Sequence, residues 1–515
     1  MRSDLESKKT AGLTRRQLLG TGAVAGATLT LTGMVNAAPR EMPESWDEEV
    51  DVVVIGTGFA GLAAAYEATK AGASVALLEK MRTPGGNSII NGGVISAAGS
   101  PEQAEQGIED GPDAMYSDML KAGLGLNHPQ LARKVAEESA AIVQWTIDEL
   151  GVAYRGMVHM GGHAVPRSYA TAAGSGSGIV IPQLEKLAEL GIEPRTGTLL
   201  KHLIRDEDGR VKGVEVQVGY RFPDADSGDP VKIKARRAVV LATGGFGNDV
   251  DYRMMQDPRL TGELDTTNHP GATSEALREA MNIGGSLIQP SWIQLGPWTS
   301  PDERGFGLAP HFVQGVAAAY GLWIETTTGQ RFVNEMADRK TRADAIIAAG
   351  NKVIAFCDAG GFEKAKTAPG AKLDRLMESG VLKEYASLEE MAAAYEVPLD
   401  ALQETIATFN ASVAAGEDSE MGRYMQADQF AIENAPYYAV RLLPKIHHTM
   451  GGIAINTEAQ ALDVTNSEPI PGLYVAGEAA GGVHGASRLG SCAIADCLVF
   501  GRIAGRNAAA EESWD

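Results

Sequence analysis

DVVVIGTGFAGLAAAYEATKAGASVALLEK, residues 51–80, decides how this chain folds. An apolar run of β-branched residues leads into a glycine turn, then an alanine-rich amphipathic stretch, then a second apolar run. That is the pattern of strand, turn, helix and strand in a parallel α/β unit. Gly56, Gly58 and Gly61 form G-x-G-x-x-G at the strand-to-helix junction. There the backbone N–H groups and the positive end of a helix can hold a pyrophosphate. Glu79 closes the second strand, placed for ribose hydroxyls. The unit predicts a bound dinucleotide.

Three further glycine-rich stretches select the dinucleotide. TPGGNSIINGG (83–93) supplies Gly86, Asn87, Ser88 and Gly93; AVVLATGGFG (238–247) is an apolar strand ending at Thr243 and Gly244; GLYVAGEAAGG (472–482) is another, with Glu478 at its end. Several strand ends converging on one long ligand suit an extended FAD better than NAD. The 61 glycines and 6% aromatic content of the 515 residues fit backbone that approaches a bulky ligand. The length implies two or three domains, or one domain with a large insertion. A formal charge of −21 excludes nucleic acid as a natural partner and favours a cationic docking protein. The three cysteines, Cys357, Cys492 and Cys497, form no CxxC or CxxCH, so no haem, iron–sulfur or other metal site is expected, and Cys492 and Cys497 are read as packing residues. Residues 1–38 read as a twin-arginine export signal: Thr14-Arg15-Arg16-Gln17-Leu18-Leu19, an apolar stretch from Gly20 to Met34 too short to span a bilayer, and small residues up to Ala37. No later segment reads as transmembrane, so a periplasmic or other extracytoplasmic location is expected.

HGASRLGS (484–491) places a single fixed cation, Arg488, among small residues with no near counter-charge. A buried guanidinium needs an anion, from the protein or from a ligand. Together with HHTMGG (447–452, His447 and His448) and RFVNEMADRKTR (331–342, with Arg339), this stretch resembles the flavoprotein of the fumarate reductase and succinate dehydrogenase family. The similarity runs from about Asp47 to the C-terminus and is strongest to the soluble periplasmic branch, which holds flavocytochrome c fumarate reductases and urocanate reductases. The resemblance implies an α/β fold: a Rossmann-like FAD-binding domain, a parallel sheet with a small β-layer, interrupted by an α+β capping domain. The FAD domain is placed at 47–286 and 447–515, and the cap at 287–446. By the same resemblance His448 and Arg488 bind a substrate carboxylate, Arg339 donates a proton, and Ala493 and Ile494 join the cofactor-binding residues.

HLIRDEDGRVKGVEVQ (202–217) reads as a hairpin turning at Asp208-Gly209, residues 361–435 read as helices, and the acidic C-terminus reads as a solvated tail. His163 and Arg167 are candidates to line flavin or substrate, and His484 is either structural or flavin-adjacent.

The chain departs from the family where the family grips a second carboxylate. The histidine of an Ile-Gln-Ala-His-Pro-Thr motif falls on Gly296 or Pro297 of WIQLGPWT (292–299), the Thr-Glu pair on Gln314-Gly315, and the relay arginine on Ala318. Trp292, Trp298, Phe306, Tyr320 and Trp323 cluster nearby and suggest an apolar wall. The expected reaction is reduction of the C=C bond of an aryl- or alkyl-acrylate, in anaerobic respiration, with electrons from a separate cytochrome or flavoprotein. Proton delivery to Arg339 would then fall to Asp338, Lys340, Arg342 or a water chain. The alternatives are a dehydrogenase or oxidase related to ketosteroid dehydrogenase or aspartate oxidase, and a non-catalytic acid-binding flavoprotein.

Overall fold

Val52, Val53 and Val54 are fully buried, as a strand must be when helices cover both faces of its sheet. In the computed structural model, which describes residues 42–367 and 372–514, this strand, Glu48–Ile55, sits inside a sheet running Gln460–Leu462, Pro469–Val475, Asp229–Leu241, Glu48–Ile55, Val75–Leu78. The export signal read in residues 1–38 lies outside the described residues. The pairings Val53↔Ala76, Val53↔Val239 and Leu473↔Val239 are parallel, so four strand ends open on one edge. The first half of Asp229–Leu241 pairs instead with Val211–Val218, antiparallel, which pairs in turn with Thr198–Arg205. That is the hairpin expected at Asp208-Gly209, with Gly209 at φ +86° in its turn. No helix among the described residues is long and apolar enough to cross a membrane.

Two helices set the length of the groove at that edge. Phe59–Lys70 follows the glycine turn, and Cys492–Ala510 packs along it in the same direction. The approach is backbone to backbone: a Cβ on Gly501 would lie 2.5 Å from the Ala60 carbonyl, and one on Gly505 2.2 Å from that of Ala64. With Gly501 level with Ala60, residues 492–500 run on past the start of the first helix by about 13 Å at 1.5 Å per residue. The loop carrying Arg488 is thereby held beyond the phosphate-binding turn.

The stretch expected to form the cap, residues 287–446, carries an antiparallel sheet of its own, Leu322–Glu325, Val353–Cys357, Tyr437–Arg441 and Lys383–Tyr385. Alternation serves both faces. Leu322, Ile324, Ile354 and Phe356 enter one apolar core, while Trp323, Val353, Ala355 and Val440 enter another. Helices Ala359–Thr367, Leu373–Glu378, Leu388–Ala394 and Leu399–Ala415 fill only about half of the stretch read as helical, the rest being strand, turn and loop. The strand Lys383–Tyr385 interrupts it, being too short to show a period of its own. Ile293–Gly296, on the way into the cap, pairs antiparallel with Lys445–Thr449, on the way out, and sets Gln294 opposite His448.

The C-terminus corrects one expectation. It is pinned, because Trp514 donates from Nε1 to the Ala235 carbonyl at 2.6 Å under the ammonium groups of Lys212 and Lys234, while Glu511 pairs with Arg210 and accepts from the Tyr474 hydroxyl. The acidic residues are thus partly neutralised by the β-layer.

Candidate active site

The groove at the open edge of the sheet has two connected chambers. The first is lined by Gly56, Gly58, Glu79, Gly86, Thr243 and Gly244, and the second by Gly93, Arg339, His447, His448, Arg488, Ala493 and Ile494. Asn87, Ser88 and Glu478 border both. Of the residues given a catalytic or cofactor-binding role from the sequence, only Gly61 lines neither chamber. It faces inward, where a Cβ would sit 2.0 Å from the Gly56 carbonyl, so it lets the turn fold back on the helix.

The first chamber fits a dinucleotide by shape. Gly56 is at φ +103°, with the Ala242 carbonyl 2.3 Å from where its Cβ would be. Gly86 and Gly244 are also at positive φ, but there nothing lies within 4 Å of the would-be Cβ. Those two glycines leave backbone bare toward the cavity, as a cofactor cradle requires. The Ser88 hydroxyl accepts from the Phe59 amide at 3.0 Å, closing one donor of the helix start and leaving its neighbours for a pyrophosphate. Glu79 Oε2 accepts from the Thr57 hydroxyl at 2.5 Å and Oε1 from the Met81 amide at 2.9 Å, which fixes the carboxylate at the ribose end.

Substituting Gly61 with alanine tests this construction. A methyl forced against backbone cannot be relieved by rotating a side chain, so the turn must open. Purified Gly61→Ala protein should retain FAD at least about tenfold more weakly, the equivalent of ~1.4 kcal/mol, read from flavin absorbance after gel filtration. Full stoichiometric FAD in the variant would show that the turn does not shape the phosphate site.

The second chamber is cationic. Arg488 is 5% exposed; among the described residues its guanidinium makes one hydrogen bond, from Nη1 to the Leu489 carbonyl at 3.3 Å, and its buried Nε has no partner. Burial lowers its pKa, partly offset by the surrounding thiols and Glu478. Glu478 is engaged elsewhere: Oε1 accepts from the Thr449 amide at 2.8 Å, Oε2 faces His448 Nδ1 at 3.5 Å, and burial raises its pKa. Burial, then the charge of Arg488, holds the His448 imidazole far below its ordinary value, so it is neutral at pH 7. His484 lies edge-on to His448 at 5.7 Å and bonds Asp496 at 3.0 Å, which gives it a supporting position.

Across the chamber, Arg339 starts the cap helix Arg339–Ala348 and lies over the Trp298 ring, 4.6 Å from its centroid. Arg339 Nη1 donates to Gln294 Oε1 at 3.2 Å, and Gln294 Nε2 donates to the Arg488 carbonyl at 2.8 Å. One amide thus spans the two guanidinium-bearing segments. The sequence reading passed over Gln294; only its place in the strand opposite His448 gives it away. Burial, then the charges of Arg488 and Arg342, drives the Arg339 pKa well below that of a free guanidinium. The far wall is apolar: His447, bonded through Nδ1 to the Thr267 hydroxyl at 2.7 Å, lies between Trp298 and Phe306, with ring centroids at 5.1 and 6.4 Å.

His163 and Arg167 line neither chamber, contrary to expectation. Arg167 is wholly buried between Asp110, at 2.8 and 2.9 Å, and Asp118. It can only donate, so His163 Nδ1, 2.9 Å from Arg167 Nη1, accepts; the ring proton is on Nε2 and goes to the Gly490 carbonyl at 2.7 Å. Burial, then Arg167, pushes the His163 pKa down to about 3, so this brace under the Arg488 loop stays neutral. Of the five expected aromatics, Trp298 and Phe306 reach the chamber; Tyr320 stacks on Phe430, and Trp323 is in the cap core.

An FAD binding domain family matches residues 51–494. The acrylate reductase flavoprotein subunit of Shewanella woodyi is 41% identical over 96% of this chain and 97% of its own. The fumarate reductase (cytochrome) of Shewanella frigidimarina is 35% identical over 90% of this chain and 77% of its own. The chain belongs to the fumarate reductase flavoprotein family. In the open conformation of a flavocytochrome c3 fumarate reductase the fold recurs with a TM-score of 0.72, at 34% identity, over 92% of this chain and 80% of that one.

Membership of the fumarate reductase family fixes the cofactor as FAD and the chemistry as oxidoreduction at a C=C bond. FAD, when bound along the two chambers, supplies the hydride chemistry of the family's reaction. The groove fits it: Gly86 and Gly244, with bare backbone, would hold its phosphates, and Ala493 and Ile494, at the start of the second helix, would hold its ring.

Proposed function

We propose that this chain reduces the C=C bond of a short α,β-unsaturated monocarboxylate, an acrylate or small alkyl acrylate, in preference to fumarate. The observation that carries this reading is the asymmetry of the second chamber. One end presents Arg488, with an unpartnered donor, and His448; the other presents Trp298, Phe306 and a His447 already held by Thr267. A monoacid anchors its carboxylate at the first end and rests its hydrocarbon on the second. A diacid would bury its second carboxylate against indole and phenyl rings, a loss of several kcal/mol. The resemblance to a relative named for acrylate supports the same choice.

In this reading Arg488 grips the carboxylate as a fixed fork of donors and draws electron density from the conjugated double bond. Neutral His448 donates a second hydrogen bond. Arg339 protonates the carbon next to the carboxylate as charge builds there. The twin-arginine pattern at Arg15 and Arg16 supports work outside the cytoplasm, and the lack of any haem-attachment motif in the sequence supports a separate electron donor, a cytochrome or flavoprotein.

The test is re-oxidation of dye-reduced holoenzyme by acrylate, methacrylate, cinnamate, urocanate and fumarate. Acrylate or methacrylate should exceed fumarate by at least about 100-fold in kcat/KM, ~2.7 kcal/mol. Equal turnover of fumarate would overturn the monoacid reading, and no turnover with any enoate would overturn the reductase reading.

A further inference from the structure

Each turnover takes a proton from Arg339, which must be restored. Three neighbours could do so by sequence, and the structure separates them. Lys340 points outward into an ion pair with Asp344. Asp338 is the helix cap: Oδ1 accepts from the Lys340 and Thr341 amides at 2.9 and 3.1 Å, and Oδ2 from the Thr341 hydroxyl at 2.5 Å. Arg342 is different. It lies on the same buried face of the helix as Arg339, three residues on, and is 3% exposed.

Its surroundings suit a group that exchanges a proton rather than one that anchors structure. Arg331, in the same motif, is clamped by Glu335 at 2.7 Å and Asp418 at 2.8 Å, which pushes its pKa above that of a free guanidinium. Arg342 makes no ion pair among the described residues, and the Asp338 and Glu335 carboxylates act on it only at longer range; Nη1 donates to the Glu335 carbonyl at 3.1 Å, Nε is buried without a partner, and the guanidinium sits over Trp323 at 5.4 Å. Burial lowers its pKa to about 10.

Arg342 also lies directly behind a glycine that lines an open cleft. A cleft at the junction of cap and FAD domain is lined by Asp118, His159, Gly161, Ala337, Asp338 and Tyr424, the last 54% exposed. Gly161 is the partition. A Cβ on it would lie 3.4 Å from Arg342 Nη2, and its carbonyl lies 3.5 Å from where Gly490 would carry a Cβ, a point 3.9 Å from Arg339 Nη2. Gly161 thus lies against Arg342 on one side and, across Gly490, faces the Arg339 guanidinium on the other.

We propose that Arg342 relays protons from the cleft beside Gly161 to Arg339, in place of the acid and arginine that the family pattern puts at Gly315 and Ala318. Arg339 loses an N–H bond when the substrate carbon gains a C–H bond. Arg342 then loses an N–H bond, through a hydrogen-bonded water at Gly161, as Arg339 regains its own, and Arg342 takes one proton from cleft water. One solvent proton is consumed per double bond, and no electrons move in the relay. The relay rests on the enoate-reductase reading above.

The experiment compares wild type, Arg342→Met and Arg342→Lys as FAD-loaded holoenzymes. The readouts are kcat, KM, the solvent isotope effect on kcat, and the dissociation constant of the saturated acid from perturbation of the flavin spectrum. Arg342→Met should lose about 100-fold or more in kcat, the usual worth of a placed proton donor, with KM and acid binding within threefold of wild type and a larger isotope effect. Arg342→Lys, which still carries an exchangeable proton, should recover to within about tenfold, and methylguanidine should restore part of the activity of Arg342→Ala. Equal kcat for the Met and Lys variants, or loss of acid binding along with kcat, would reduce Arg342 to a packing residue. If Arg342→Met gives no holoenzyme, the Lys and Ala variants with added methylguanidine decide, and absence of rescue overturns the relay. Wild type inert toward every enoate would sink the underlying reading itself, an outcome distinct from active wild type with active Arg342→Met.

Discussion

Arg488→Met holoenzyme should show KM for its enoate raised by about 10²–10³, matching the 3–5 kcal/mol lost when one partner of a buried charge pair is removed. FAD should remain bound, because the cofactor cradle at Gly56, Gly86 and Gly244 lies in the other chamber. The guanidinium is buried, one of its donors is unpartnered, and the nearest carboxylate, Glu478, is already engaged by Thr449. The variant therefore removes the one strong anion contact and leaves no protein charge stranded, so its melting temperature should match or exceed that of wild type. Titration of the oxidised flavin spectrum with a saturated acid measures the loss without turnover. Unchanged acid binding would mean that the carboxylate binds elsewhere.

The second large effect concerns Arg339. Arg339→Met should lower kcat by about 10³–10⁴, at or near the full contribution of a general acid, while the binding of a saturated acid changes by less than about tenfold. A methionine keeps most of the contact with Trp298 and removes only the donor. The pH dependence follows from the direction of its shift. Burial and two neighbouring guanidinium groups lower the Arg339 pKa, the protonated form is the active one, and so wild-type kcat should fall as pH rises through that lowered value. The variant, having lost the acid, should lose that alkaline limb. A variant with normal kcat would exclude Arg339 as the proton donor.

The stretches that bind FAD were legible because each is local. A glycine turn between an apolar strand and a helix announces itself within ten residues, as Gly56 to Gly61 do. Arg488 was legible for the opposite reason, as a charge with no local partner. What escaped was every relation made by pairing across the chain. Gln294 matters because its strand lies antiparallel to Lys445–Thr449, about 150 residues on, and a polar residue in a short strand carries no mark of that. His163 and Arg167 looked like cavity residues because conspicuous polar side chains near glycines suggest ligands; the Arg167 charge is met by Asp110 and Asp118, some fifty residues away in sequence, and neutral His163 is taken up by Arg167 and the Gly490 carbonyl. The aromatic cluster was real in sequence and in part in space, since Trp298 and Trp323 share one apolar core, but only Trp298, in a turn after its strand, also reaches the chamber.

Arg488 comes from the FAD side of the groove and Arg339 from the cap, and each depresses the other's proton affinity or that of its neighbours. Two like charges facing each other across a buried chamber repel, and Gln294 meets only one donor of that pair. An anion lying between them would offset the repulsion on both sides at once, so the ligand itself completes the electrostatic balance that the protein leaves open.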